Sequence, residues 1–196
     1  MTRHQVNKVE SGRIRQGDIF PNVPYYESYT ETNGEFELVV YDFPYVIVLT
    51  QDCDLQQNKT AREKAADRSQ FIENDKHLIS VIVAPLYNSE HLFLGRHLDL
   101  LGIVSQAQNS KLKKPITNNQ NPRYHYMEFD DSVVVPNSVV DFKHYFTISV
   151  GWLETNIERR VCGIDPLYRE LISQRFSNYL SRIGLPNSNE RSVEDM

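Results

Sequence analysis

The chain has 196 residues, of which 40% are hydrophobic and 24% charged, the make-up of an ordinary globular domain long enough for one substantial core. Its formal net charge of −5 argues against a surface that holds nucleic acid by charge alone, because such binding sets many Lys and Arg against phosphates. No apolar run approaches the roughly 20 residues that span a bilayer, and the polar start Met1-Thr-Arg-His is unlike a secretory signal. The expectation is a cytoplasmic protein without a membrane partner, in which Cys53 and Cys162 are thiols.

Residues 1–12 read as a flexible lead-in, 13–186 as a single domain and 187–196 as a disordered tail. Gly12 to Phe20 predicts a short strand, limited by Pro21 and Pro24, which cannot donate to a ladder. Asn33-Gly34 is the strongest hairpin signal, with Phe36 to Tyr41 returning. Phe43-Pro44 predicts a turn into the strand Tyr45 to Thr50, whose unbroken apolar run suits burial on both faces. Residues 56–76 form a first insertion: Ala61, Ala65, Ala66 and Phe71 are too sparse for an apolar stripe and predict a loop with a short helix.

Leu78 to Leu86 predicts a second central strand, ended by Pro85. A second insertion, 88–121, predicts a helix from about Glu90 to Ala107 capped by Ser89, then a loop from Gln108 to Asn121. Five strands in quick succession, Arg123 to Phe129, Ser132 to Val135, Val139 to Phe142, Tyr145 to Leu153 and Glu158 to Ile164, predict an antiparallel meander. The last element is a helix with Asp165 as N-cap and Pro166 in the first turn. Its stripe is Tyr168, Ile172, Phe176, Tyr179 and Ile183, and Gly184 and Pro186 stop it. The fold class is α+β: a bent antiparallel sheet or small barrel with helical insertions and a C-terminal helix.

The richest stretch for chemistry is Gln51-Asp52-Cys53-Asp54, which follows the buried strand without a spacer. If the strand continues, alternation points Cys53 where Ile47 and Leu49 point, into the core; if it ends at Thr50, the turn exposes the thiol. A nucleophilic Cys53 needs His125 or His144 beside it, and its two flanking carboxylates oppose thiolate formation. Asp52, Asp54 and a histidine are a candidate set for Mg²⁺ or Zn²⁺, although no cofactor is named by the sequence. Arg123 and His125 share one face of their strand and Tyr124 and Tyr126 the other, so that face meets either a phosphate or a carboxylate across the sheet. Asp141 and His144 fall on opposite faces of a regular strand. Lys111, Lys113, Lys114 and Arg123 form the densest basic stretch without acids.

Gly17-Asp-Ile-Phe, Val46-Ile-Val-Leu-Thr and Ile82-Val-Ala-Pro-Leu, in that order, resemble the strands of the MazF/PemK-like toxins, and Ser132 to Phe142 resembles a late segment of the same family. The resemblance implies an SH3-like barrel. Those toxins cleave RNA with a Ser or Thr after the Pro-Leu strand and a basic residue near the first strands. Here Tyr87 stands at the first position, and Arg13 or Arg15 is the candidate for the second. Leu49 to Leu55, Pro122-Arg-Tyr-His-Tyr, Val140 to Phe146 and the stretch from Pro166 to Arg-Ile-Gly-Leu-Pro186 together resemble an uncharacterised bacterial and phage family.

The function expected from this reading is a barrel-based recognition module of a bacterial or mobile-element system, of the toxin-antitoxin or phage-defence kind. It binds nucleic acid or a protein partner through Gln51, Asp52, Cys53, Asp54, Lys113, Arg123 and His125, and a homodimer is compatible with it. The alternative is a PemK-like endoribonuclease with an altered site, in which His125 is the general acid or base and Arg123 steadies the phosphate.

Overall fold

The computed structural model describes residues 6–7, 12–66 and 74–182. Phe71, the helix stop at Ile183 to Pro186, the tail and most of the lead-in lie outside them. Eight strands and five α-helices follow in the order β1 (Val6–Asn7), β2 (Asp18–Thr32), β3 (Glu35–Val48), α1 (Asp52–Ala66), β4 (Ser80–Asn88), α2 (Ser89–Phe93) and α3 (Ser110–Thr117). The chain continues through β5 (Tyr124–Met127), β6 (Ser138–Asp141), β7 (Phe146–Ser149), α4 (Val150–Thr155), β8 (Cys162–Ile164) and α5 (Pro166–Leu180). The fold is α+β. Every pairing is antiparallel, in the order β1-β8-β2-β3-β4-β6-β5 with β7 also on β4, and the end strands β1 and β5 do not pair with each other among the described residues.

Both faces of the central strands are covered. Val46 and Val48 of β3 enter one core with Phe20, Val81 and Val83, roofed by Leu55 of α1, Leu92 of α2, Ile116 of α3 and Leu153 of α4. Ile47 and Leu49 enter the other with Ile19, Ala84 and Val140, roofed by Ile172 and Phe176 of α5. Each such fully buried side chain contributes roughly 1.5–3 kcal/mol of transfer free energy.

The hairpin turn forms at Asn33 (φ 56°) and Gly34 (φ 83°), a two-residue loop of the type that matches strand twist. Its strands are longer than expected. Pro21 and Pro24 lie inside β2, opposite Tyr45 and Asp42, and Pro44 lies inside β3. β8 pairs with β2 only at Asp18 and Ile19, and β4 with β3 only at Val46 to Val48, so these prolines sit along open edges where no amide is missed.

Other departures have local causes. The short helix expected within residues 56–76 is the fifteen-residue α1, which starts earlier, with Asp52 and Asp54 in its first turn and Lys64 in its last; it is held less by an apolar stripe than by the buried Asn58, whose side-chain oxygen accepts from Leu78 N–H and Arg62 Nε. The helix expected to reach Ala107 stops at Phe93, because Gly95 turns left-handed (φ 75°) and Gln108 N–H bonds back to the Phe93 carbonyl. Asn88, not Ser89, caps it, and the loop after Gln108 contains α3, capped by Asn109. Ser132 to Val135 forms no strand, Tyr145 to Leu153 is split between β7 and α4, and of Glu158 to Ile164 only β8 is extended.

At Gly95 a Cβ would strike the Ser105 carbonyl oxygen on a backbone that L residues rarely adopt. Gly95→Ala is expected to lower stability by about 2 kcal/mol or more, read as a shifted urea midpoint at constant slope.

Candidate functional site

The Gln51 to Asp54 tetrad does not continue the strand. It opens α1, where Gln51, Cys53 and Asp54 are exposed and Asp52 is half-buried. Cys53 therefore faces solvent and not the core; its sulfur lies 3.6 Å from Gln51 Oε1 and 3.5 Å from Asp54 Oδ1, with no imidazole contact among the described residues. Asp52 ties three segments together: both Arg13 Nη atoms donate to it at 2.9 and 2.6 Å, Gln16 N–H donates at 3.2 Å, and Arg169 Nη1 of α5 lies at 3.6 Å. Burial alone would raise its pKa, but Arg13 and Arg169 outweigh burial and hold the carboxyl below its usual value of 3.8.

The second predicted cluster is also engaged internally. β5 alternates as expected, with Tyr124 and Tyr126 packed on the first core; His125 on the other face has no exposed surface and lies 6.5 Å from the Phe142 ring. A sealed imidazole cannot reach a substrate as general acid or base, so His125 does not occupy the role expected of it. Arg123 stands just before β5 and donates through Nε and Nη2 to Asp141 at 2.8 and 2.5 Å. Asp52 and Arg123 share no partner, and among the described residues no hydrogen bond or ion pair joins the tetrad to this edge. Lys113 lies elsewhere again, its Nζ 5.3 Å from the Phe93 ring centre. Arg175 of α5 is half-buried and donates to the carbonyls of Asn119, Asn121 and Tyr124.

A different constellation assembles around Asp141. β6 ends there, and a 3₁₀ turn over Phe142–His144 brings the His144 imidazole back, Nδ1 3.4 Å from Asp141 Oδ2, although a regular strand would send the two apart. The Tyr87 hydroxyl lies 3.0 Å from the same Nδ1, and the His97 ring meets the Tyr87 ring edge-on at 4.9 Å. Burial lowers the pKa of both histidines, partly offset by the charge of Asp141, so both are neutral at pH 7. Burial, then Asp141, raises that of Tyr87, which remains a hydroxyl.

Tyr87 and His97 form the floor of a cavity of about 600 Å³, walled by Phe43 and Tyr45 of β3, Leu86 of β4 and Leu100 and Leu101 of the 3₁₀ turn after α2. Asp42, His91, Arg96 and Asp99 line it as well, and none of these four makes a side-chain hydrogen bond or ion pair among the described residues. A smaller cavity of about 430 Å³ beside α1 differs in that its charged walls answer one another, as Lys59 with Glu63 and Arg62 with Glu154. No group of three or more His, Cys, Asp or Glu among the described residues is placed to hold a metal ion, and no described helix is long and apolar enough to cross a membrane. Of the cavity's lining, the sequence singles out Tyr87, the residue after Pro85-Leu86.

No family model matches the chain, and no curated protein matches it.

Two outcomes are expected. Because the folded pKa of Asp52 lies below its unfolded value, its stabilisation is present above about pH 4 and is lost as pH falls through the folded pKa. Asp52→Asn should cost about 1 kcal/mol at pH 7 and progressively less in acid, read by urea melts across pH. Removing the positive charge beside Asp141 with Arg123→Met should raise the pKa of both His144 and His97, followed by NMR titration of the imidazoles.

Proposed function

We propose that this chain is a recognition module of a bacterial or mobile-element system that takes a segment of a protein partner in the 600 Å³ cavity. The observation that carries this reading is the cavity's contents: aromatic and aliphatic walls, with unpaired charges of both signs at Arg96 against Asp42 and Asp99. A peptide offers apolar side chains together with cationic and anionic groups, and matches such a mixture. Nucleic acid matches it poorly, since Asp42 and Asp99 repel phosphate and the chain carries a net charge of −5. The relation to an SH3/PemK-like barrel belongs to the same proposal; it rests on the three matching stretches falling at β2, β3 and β4, neighbours in one ladder.

The endoribonuclease reading draws support from one feature, the Tyr87–His144–Asp141 chain, whose hydroxyl occupies the position of the toxins' Ser or Thr. The two readings differ in what they touch. With p-benzoylphenylalanine in place of Leu100, irradiation in cells should give adducts with protein, mapped by mass spectrometry and lost when Leu101→Trp fills the cavity. Adducts with RNA alone, or RNA cleavage by the purified chain that Tyr87→Phe abolishes, overturn the module reading.

A further inference from the structure

The β2–β3 hairpin runs on past the body as a bare ribbon. Every residue from Tyr26 to Val40 is exposed. No described strand pairs with β2 beyond Ile19, apart from β3, or with β3 before Val46, apart from β2. A lone two-stranded ribbon is marginal in water, so its uncovered surface requires an explanation.

Alternation sorts that surface into two unlike faces. Phe36, Leu38 and Val40 of β3 share one face, and the residues opposite them are Glu31, Tyr29 and Tyr26. Tyr26 and Tyr29 are three apart and would face opposite ways in a regular strand; the register shift between Tyr26 and Ser28 is what brings them together. The result is an apolar stripe of Tyr26, Tyr29, Phe36, Leu38 and Val40, exposed by 61%, 74%, 67%, 60% and 41%. The reverse face is mostly polar, with Ser28, Thr30, Thr32, Glu35 and Glu37 beside Val39, and Glu27 is hydrogen-bonded to the Tyr41 hydroxyl on that side. Of the ribbon's four glutamates only Glu31 lies on the apolar side.

Size and charge together select the occupant. Taking about 200 Å² for a whole aromatic side chain, the three rings leave about 400 Å² uncovered, and with Leu38 and Val40 the patch reaches about 550 Å², the upper end of what a monomer ordinarily shows. It approaches the roughly 800 Å² that each partner gives to a standard interface. A partner attracted by charge would be drawn to the glutamate face, not to this one. An identical stripe sets rings and aliphatic side chains against their like and, Glu31 apart, leaves the ribbon's carboxylates of both copies turned outward.

We infer that the apolar stripe of the β2–β3 arm packs on the same stripe of a second copy of this chain. The two ribbons lie face to face about a two-fold axis near the Tyr29–Leu38 pair, with Tyr26 of each copy against Phe36 of the other. This inference rests on the arm alone and stands or falls separately from the cavity.

Sedimentation equilibrium on the full chain across the micromolar range tests it. A dimer is expected, weakened about a hundredfold or more by Leu38→Glu, which buries a charge in the seam, and within about threefold of the parent for Val39→Glu on the reverse face. Both side chains lie where β2 and β3 pair with each other and with no other described strand, so thermal midpoints of both variants should follow only the dimer. In a Cys53→Ser background, Leu38→Cys should form an intermolecular disulfide in oxidised glutathione, whereas Glu37→Cys should not. A monomer at every concentration, a dimer indifferent to Leu38→Glu, or equal cross-linking from both cysteine positions overturns the inference.

Discussion

Burial on both sides of the stretch that ends strand β3 is the constraint from which the rest of the architecture follows. Val46 and Val48 fill one interior and Ile47 and Leu49 the other, so the same four-residue stretch gives α1 to α4 a surface to pack on and gives α5 a second. Two apolar faces have a cost in specificity, because slipping the strand by one residue would still bury hydrophobic side chains. Register is fixed instead by polar contacts at its ends: the Asn33-Gly34 turn at one, and at the other Gly17 N–H on the Val48 carbonyl, Gln16 Nε2 on the Leu49 carbonyl and Leu49 N–H on Ile82.

What the sequence made legible was what local rules control. The hairpin followed from a dipeptide that tolerates positive φ, the doubly buried strand from an unbroken apolar run, and α5 from Asp165, Pro166 and a stripe at helical spacing. The start and full length of helix α1 were hidden because its stability comes from Asn58 and Asp52, which bond to residues far along the chain, and not from periodic hydrophobicity. The Asp141–His144 pair was hidden because two-residue alternation stops applying at the 3₁₀ turn between them. Parity correctly placed His125 opposite Tyr124 and Tyr126; that its face is the sealed one depends on Phe142 and the α5 roof, which alternation does not reveal.

Arginine forks account for much of the internal wiring. Arg13 on Asp52, Arg160 on Asp18, Arg123 on Asp141 and Arg175 on three carbonyls each join segments well separated in sequence. Basic groups used in this way do not form a phosphate-binding surface, in keeping with the acidic balance of the chain. The carboxylates they hold respond to pH in opposite senses. Burial, against the pull of Arg160, pushes Asp18 up to about 6, so its ionisation weakens the fold as pH rises between about 4 and 6, whereas ionised Asp52 strengthens it over its own range. The Cys162 thiol, beside Asp18, is pushed up to about 12 by burial and then by that charge, and is chemically quiet.

The position of β8 governs the order in which the molecule can be completed during synthesis. Only after Cys162–Ile164 has emerged can β1 and the start of β2 find their neighbour, and only with Arg160 present does buried Asp18 gain its counterion. The first strands of the sheet thus wait for Cys162–Ile164, while the Asn33-Gly34 hairpin, whose contacts are sequence-local, can zip early. A nascent chain of this protein carries its arm ahead of its finished body.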